Sequence, residues 1–281
     1  MTTYTPNGSI KLSDISTKQQ IRLGIQGFPG VGKTWAALTF LNPVVIDFDR
    51  GLKAHEGRDD VIQVPAYSWK LDERKDKLIE WINKEGVQLT KDQTLILDGL
   101  SSLEVSYHKW FAANQHNFLT KGGKVDDFAE YRVKKDWCGE LFEAIKTLRC
   151  DFILLSHESE RADKPSSPGQ PGSYTGKIRP LLTGSYGDMI VRDFSDWFRG
   201  HCGDKPKDMK EFCTPERLKQ WVMNNAIEFK AMCDTFPRDT IYYWQLESDD
   251  KFDAKAGSLV NPPRFIPANW TYFKKYLRHK G

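Results

Sequence analysis

Eight consecutive residues near the N-terminus have the types and spacing to bind a phosphate chain: Gly27-Phe28-Pro29-Gly30-Val31-Gly32-Lys33-Thr34. They read G-x-x-x-x-G-K-T, a phosphate-binding loop that needs a strand before it and a helix after it. The glycines let backbone N–H groups approach phosphate oxygens with no Cβ in the way. The helix that follows, starting near Trp35, adds its partial positive charge at the same point. Lys33 would reach the β- and γ-phosphates of ATP, and the Thr34 hydroxyl would ligate Mg²⁺. Gly27, Pro29, Gly30, Val31, Gly32 and Trp35 complete the expected nucleotide contacts.

Such a loop needs acidic partners, and the apolar runs supply them. Thr94-Leu95-Ile96-Leu97 is a buried strand ending in Asp98. In an open parallel sheet ligands gather at the strand C-termini, so Asp98 would face the same crevice and hold Mg²⁺. Val44-Val45-Ile46-Asp47-Phe48-Asp49 is a second strand ending in acid. Asp49, nearer the exit, could orient the water that attacks the γ-phosphate, and Asp47, two residues earlier on the same side, remains an alternative. Ser156 and His157 leave a third strand, Asp151 to Leu155, and His157 could touch the γ-phosphate and report its loss to the segment that follows.

The elements that must hold these residues follow from periodicity and punctuation. Ile21 to Gln26 is the strand before the loop, and Trp35 to Leu41 the helix after it, broken by Asn42-Pro43. Val61 to Val64 is a short strand, and Trp69 to Lys84 has helical spacing. Ser101-Ser102 can cap a helix carrying Leu103, Tyr107, Trp110 and Phe111. Asp127 with Glu130 forms a capping pair for a long amphipathic helix whose apolar face would include Phe128, Tyr131, Leu141, Phe142, Ile145 and Leu148. Glu158 to Thr175, rich in Pro, Gly and Ser, reads as a loop. A helix over Leu181 to Val191, a strand over Phe194 to Arg199, a helix starting at Thr214-Pro215, a strand over Ile241 to Leu246 and a helix from Trp270 to Leu277 complete the chain. Apolar strands alternating with helices predict an α/β fold, a mostly parallel twisted sheet with helices on both faces. The expected division is an N-terminal arm over 1–20, an ATPase core over 21–200 and an extension over 201–281 that completes the same domain.

Composition narrows the class. In 281 residues, 39% are apolar and 28% charged, which fits an ordinary globular protein and not a disordered one. No apolar run reaches the roughly 20 residues that span a bilayer, and the polar N-terminus lacks a signal-peptide core, so a cytoplasmic protein with no membrane partner is expected. A net charge of +3 does not by itself announce a nucleic acid. The five cysteines form no C-x-x-C pair and read as reduced thiols; His201-Cys202 with Cys213 has the wrong spacing for the usual zinc modules.

The order of motifs resembles the RecA-like P-loop ATPase core. Gly27–Thr34 is followed by Ile46-Asp47-Phe48-Asp49-Arg50-Gly51-Leu52, then Leu95 to Leu103, then Leu154-Leu155-Ser156-His157. It looks most like the short phage ATP-binding recombinases of the Sak-type single-strand-annealing group. That resemblance spans roughly residues 20 to 200. It implies that Asp49 stands where the family has a catalytic glutamate, one methylene longer. It implies single-stranded DNA against residues 158–179, where Arg161, Lys164, Lys177 and Arg179 offset Glu158, Glu160 and Asp163 and where Tyr174 could stack on a base. It also implies a single-strand-binding protein as partner, and a homo-oligomer, ring or filament. In related oligomeric ATPases a Lys-x-Arg pair reaches the neighbour's γ-phosphate; Lys255 matches its lysine, while Gly257 stands in place of the arginine. The same loop also serves helicase or loader motors, nucleotide-gated binding modules and small-molecule phosphotransferases, so the assignment to recombination rests on motif order.

Overall fold

The computed structural model describes residues 20–126, 128–162, 174–182, 186–204 and 240–277. In chain order they form β1 (Arg22–Gln26), α1 (Lys33–Ala37), β2 (Pro43–Asp47), β3 (Ile62–Val64), α2 (Arg74–Lys84), β4 (Thr94–Asp98), α3 (Leu100–Ala113), α4 (Ala129–Lys146), β5 (Asp151–Ser156), β6 (Glu158–Ala162), β7 (Tyr174–Pro180), α5 (Tyr186–Asp193), β8 (Asp196–Asp204), β9 (Thr240–Gln245), β10 (Lys255–Ala256), β11 (Phe265–Pro267) and α6 (Trp270–Tyr276). The predicted N-terminal arm and the helix from Thr214-Pro215 lie outside the described residues.

Among the described residues, nine strands form one sheet, ordered β11-β9-β8-β1-β5-β4-β2-β3 with β10 added beside β8. From β3 to β8 every pairing is parallel, whereas β9, β10 and β11 pair antiparallel. This is the α/β class expected, a mostly parallel sheet with helices on both faces. β2 and β4 are buried along their whole length, as parallel strands covered on both sides must be. One face packs α2, α3 and α4 through Leu78, Ile82, Leu103, Tyr107, Leu141 and Ile145. The other packs α1 and α6 through Ala36, Ala37 and Phe273 against Ile25, Ile153, Phe198 and Trp244. Each buried branched or aromatic side chain contributes about 1.5–3 kcal/mol. Trp197 of β8 lies flat across β1: a Cβ on Gly24 would stand 1.9 Å from its ring. Nothing larger than glycine therefore fits in the middle of the strand that leads to the phosphate loop.

Four local expectations are corrected. The helix after the loop is α1, which ends at Ala37 and gives way to turns; Thr39 turns its hydroxyl back onto the Ala36 carbonyl at 2.7 Å, a bond that competes with the helix. Ser101-Ser102 do not cap α3, whose N-cap is Gly99 with no side-chain bond. Phe128 and Tyr131 are exposed, at 70% and 44%, so the buried apolar face of α4 runs through Ala129, Trp137 and Leu141 instead; Asp127 lies outside the described residues, and Phe128 N–H is held by Asp126 at 2.9 Å. The stretch read as a loop from Glu158 is a β-hairpin, β6 pairing antiparallel with β7, Glu158 opposite Pro180. Its turn-forming residues concentrate in 163–173, outside the described residues, while the arms carry strand formers such as Tyr174, Thr175 and Ile178.

Candidate nucleotide site

β1, β5, β4 and β2 end side by side at Gln26, Ser156, Asp98 and Asp47. The loop after β1 is pinned there: Gly27 N–H donates to the Ser156 carbonyl at 3.3 Å. Gly32, the N-cap of α1, has φ +73°, a left-handed conformation that favours glycine. A Cβ there would also meet the Tyr242 ring at 2.4 Å. Tyr242 comes from β9, and its ring centroid lies 5.7 Å from that of Trp35. Lys33, Thr34, Asp49, Asp98, His157 and Tyr242 all line one open cleft of about 450 Å³, within the usual range for a small-molecule site.

At the cleft floor the Thr34 hydroxyl donates to Asp98 Oδ2 at 2.8 Å. Burial pushes the Asp98 carboxyl up to about 6, opposed by the Thr34 bond and reinforced by Asp47 and Asp49. Lys33 donates to the Gly27 and Phe28 carbonyls at 2.9 Å each and lies 3.4 Å from His157 Nδ1. Burial lowers its pKa to about 8, with Asp98, Glu158 and Asp49 pulling the other way. His157 is lowered too, by burial and then by Lys33. Both causes favour the neutral imidazole, which offers one hydrogen-bond acceptor and one donor.

The two candidate acids of the second strand differ in commitment. Asp47 is wholly buried; one oxygen accepts the N–H groups of Asp49 and Gly51 at 3.1 Å each, and the other accepts from Gln63 Nε2 at 2.8 Å. Those bonds hold the turn that follows β2. Asp49 faces the cleft, where one of its oxygens accepts the Ser102 hydroxyl. Its carboxylate packs over Gly99, which has φ +110° and where a Cβ would stand 2.6 Å from Asp49 Oδ2. A glycine directly after Asp98 thus lets the two acids share the cleft.

Lys255 does not join them. It pairs with Trp197, level with Gly24 in the body of the sheet, and its ammonium donates to the Arg192 carbonyl at 3.0 Å. Gly257 N–H donates to the Ser195 carbonyl at 3.0 Å, and a Cβ there would stand 2.8 Å from that same oxygen. Of the basic residues expected to meet DNA, Arg179 is paired with Asp253 at 2.8 Å; Lys164 and the side chains of Arg161, Tyr174 and Lys177 lie outside what is described.

Sequence reasoning missed Tyr242, Gly99 and His55 of the cleft, and Ser102 as the partner of Asp49. Gly99 carried a signal, the glycine that ends a strand immediately after an acid. Tyr242 carried none, because its partner Gly32 is remote in the chain.

A family model described as an AAA domain matches residues 19–186, a span holding the phosphate loop, Asp49, Asp98 and His157; the chain belongs to that family. Among solved structures, one titled "Crystal structure of the RadB recombinase" is similar at 12% identity, covering 66% of this chain and 76% of that one, with a TM-score of 0.31. No curated protein matches the chain. Among the described residues, no helix is long and apolar enough to cross a membrane, and no three His, Cys, Asp or Glu residues group as metal ligands.

Proposed function

We propose that the protein binds ATP in this cleft and hydrolyses it, stimulated by single-stranded DNA, in phage-type recombination or replication. The observation that carries the first step is the convergence of Lys33, Thr34, Asp98 and Asp49 on one cleft, with Thr34 and Asp98 2.8 Å apart. The loop N–H groups would hold the phosphates, and Lys33 would exchange its Gly27 and Phe28 carbonyls for β- and γ-phosphate oxygens. Thr34 Oγ1 and Asp98, an all-oxygen donor pair of the kind hard cations take, would hold Mg²⁺, whose charge offsets that developing on the transferred phosphoryl group. Asp49, oriented by Ser102, would position the attacking water and take its proton. His157 would touch the γ-phosphate. The Trp35 and Tyr242 rings offer an aromatic surface at the cleft wall for the nucleoside base.

The DNA step rests on the resemblance alone. It assigns the β6–β7 hairpin to single-stranded DNA, Lys255 to a neighbouring subunit's phosphate in a ring or filament, and a single-strand-binding protein to the list of partners. The test is ATP hydrolysis with and without single-stranded DNA, with Lys33→Ala as blank. A DNA-dependent rise that vanishes in Lys33→Ala supports the reading. ATP binding with no response to DNA removes its second half.

One observation favours a second reading, a nucleotide-gated binding module with negligible turnover. Asp49 is a methylene shorter than glutamate and is already engaged by Ser102. Turnover no faster in the parent than in Asp49→Ala would support it.

A further inference from the structure

Behind the phosphate loop lies a buried ion pair whose one part in the chemistry above is the long-range pull of Glu158 on Lys33. β5, β1 and β8 run in register there, with Ser156 level with Gln26 and Gln26 level with Arg199. Glu158, two residues beyond Ser156, reaches across the end of β1 to Arg199. Arg199 Nη2 donates to Glu158 Oε1 at 2.8 Å and Nε to Oε2 at 3.0 Å, a bidentate contact. The Glu158 side chain is 1% exposed and that of Arg199 16%.

Both ends of this pair lead somewhere. Glu158 is the first residue of the hairpin and follows His157, whose carbonyl accepts from Leu181 N–H at 2.7 Å just past the hairpin's return strand. Arg199 precedes Gly200, which backs the loop: a Cβ on Gly200 would be 3.3 Å from Val31 Cγ2 and 3.8 Å from Lys33 Cγ. The return strand is anchored separately, by Ile178 N–H on the Lys251 carbonyl at 2.7 Å. A buried ion pair adds little net stability, because desolvation offsets most of its attraction. It does fix one geometry sharply, and the geometry it fixes here joins the root of the hairpin to the wall of the loop.

We propose that Glu158 and Arg199 are positioning residues that couple nucleotide binding at Lys33 to the β6–β7 hairpin. The coupling rests on the nucleotide-binding reading above but not on any DNA role for the hairpin. When phosphate draws Lys33 off the loop carbonyls, the wall at Val31 and Gly200 shifts. Arg199 then carries the shift to Glu158 and so to the hairpin root. Without the pair the cleft keeps all its phosphate contacts, but the hairpin no longer senses them.

The test is amide hydrogen exchange over residues 158–162 and 174–180, with and without Mg²⁺·ATP, beside equilibrium ATP binding. The variants are Glu158→Gln and the double variant Glu158→Gln with Arg199→Gln, which leaves no unpaired buried charge and so guards against simple unfolding. In the parent, nucleotide is expected to change hairpin exchange severalfold. In both variants ATP is expected to bind within about threefold of the parent while the hairpin response disappears. A hairpin response of parental size in the folded double variant overturns the proposal. So does a parent that binds ATP with no hairpin response, an outcome that leaves the nucleotide reading intact. A parent that fails to bind ATP overturns both.

Discussion

The two halves of the sheet contribute to the cleft by different means. In the parallel half, from β3 to β8, the strand ends deliver Lys33, Thr34, Asp49, Asp98 and His157, groups with charges or lone pairs that face the cleft. In the antiparallel extension, β9 sends only Tyr242, whose ring closes on Gly32 and Trp35. Parallel strands all end at one edge, so their exits concentrate polar groups at a single point. An antiparallel strand runs the other way and starts at that edge, so what β9 lends there is a side chain from its first half. The parallel half should therefore set the rate of chemistry, and the extension the geometry and affinity of nucleotide binding.

Several substitutions sharpen or break that contrast. The largest effect is expected from Lys33→Ala, which removes the one ammonium facing the transferred phosphate among the described residues. ATP hydrolysis should fall on the order of 10²–10³-fold, the loss typical of a deleted charge-stabilising donor. Steady-state phosphate release measures it, and a loss under threefold would place the chemistry elsewhere.

Asp98→Asn comes next and cuts both ways. Because burial raises Asp98 from 3.8 to about 6, the folded protein holds this proton more tightly than the unfolded chain. Its favourable contribution is complete below the unfolded value and is lost as pH rises through the folded value. Above about pH 6 the ionised carboxylate then costs the nucleotide-free protein about 3 kcal/mol, from roughly two units at 1.36 kcal/mol each. Asp98→Asn should be more stable than the parent in urea at pH 8 and similar to it at pH 4, while losing Mg²⁺-dependent ATP binding. Equal midpoints at both pH values would show that burial does not strain this carboxylate.

Gly32→Ala tests the meeting of the two halves. A Cβ at φ +73° and 2.4 Å from the Tyr242 ring should destabilise by roughly 1–3 kcal/mol from backbone strain alone, with the clash in addition. Tyr242→Ala in the same chain should recover the clash but not the strain. No recovery in thermal midpoint would mean that Tyr242 does not stand over the loop. The smallest effect is that of Tyr242→Ala alone, where loss of one aromatic contact, about 0.5–1.5 kcal/mol, should weaken ATP binding some two- to tenfold.

The same contrast decides what was legible in the sequence. The phosphate loop, β1, β2, β4 and β5 could be read because their information is local: a fixed spacing, an apolar run, an acid at its end. The meeting of Lys33, Thr34 and Asp98 in one cleft was legible for that reason, and so was the placing of Asp49 and Asp47 at the end of β2. Their different hydrogen bonding was not, because it depends on Gln63 and Ser102, which arrive from other elements. Ser101-Ser102 looked like a cap because that is the common local use of serine before an apolar helix. In the fold Gly99 takes that position and frees Ser102 for Asp49. The hairpin was hidden by the Pro, Gly and Ser between its arms. The ion pair of Glu158 and Arg199 and the reach of Tyr242 to Gly32 are long-range contacts with no trace in spacing.

The most direct test of the contrast between the halves is the split between kcat and KM for ATP in Lys33→Ala and Tyr242→Ala, assayed side by side. The account predicts that Lys33→Ala loses kcat almost entirely. It predicts that Tyr242→Ala raises KM severalfold and keeps kcat within about twofold, since uniform binding lost from a remote part of the substrate appears in KM. A collapse of kcat in Tyr242→Ala with KM unchanged, or near-parental kcat in Lys33→Ala, would contradict it.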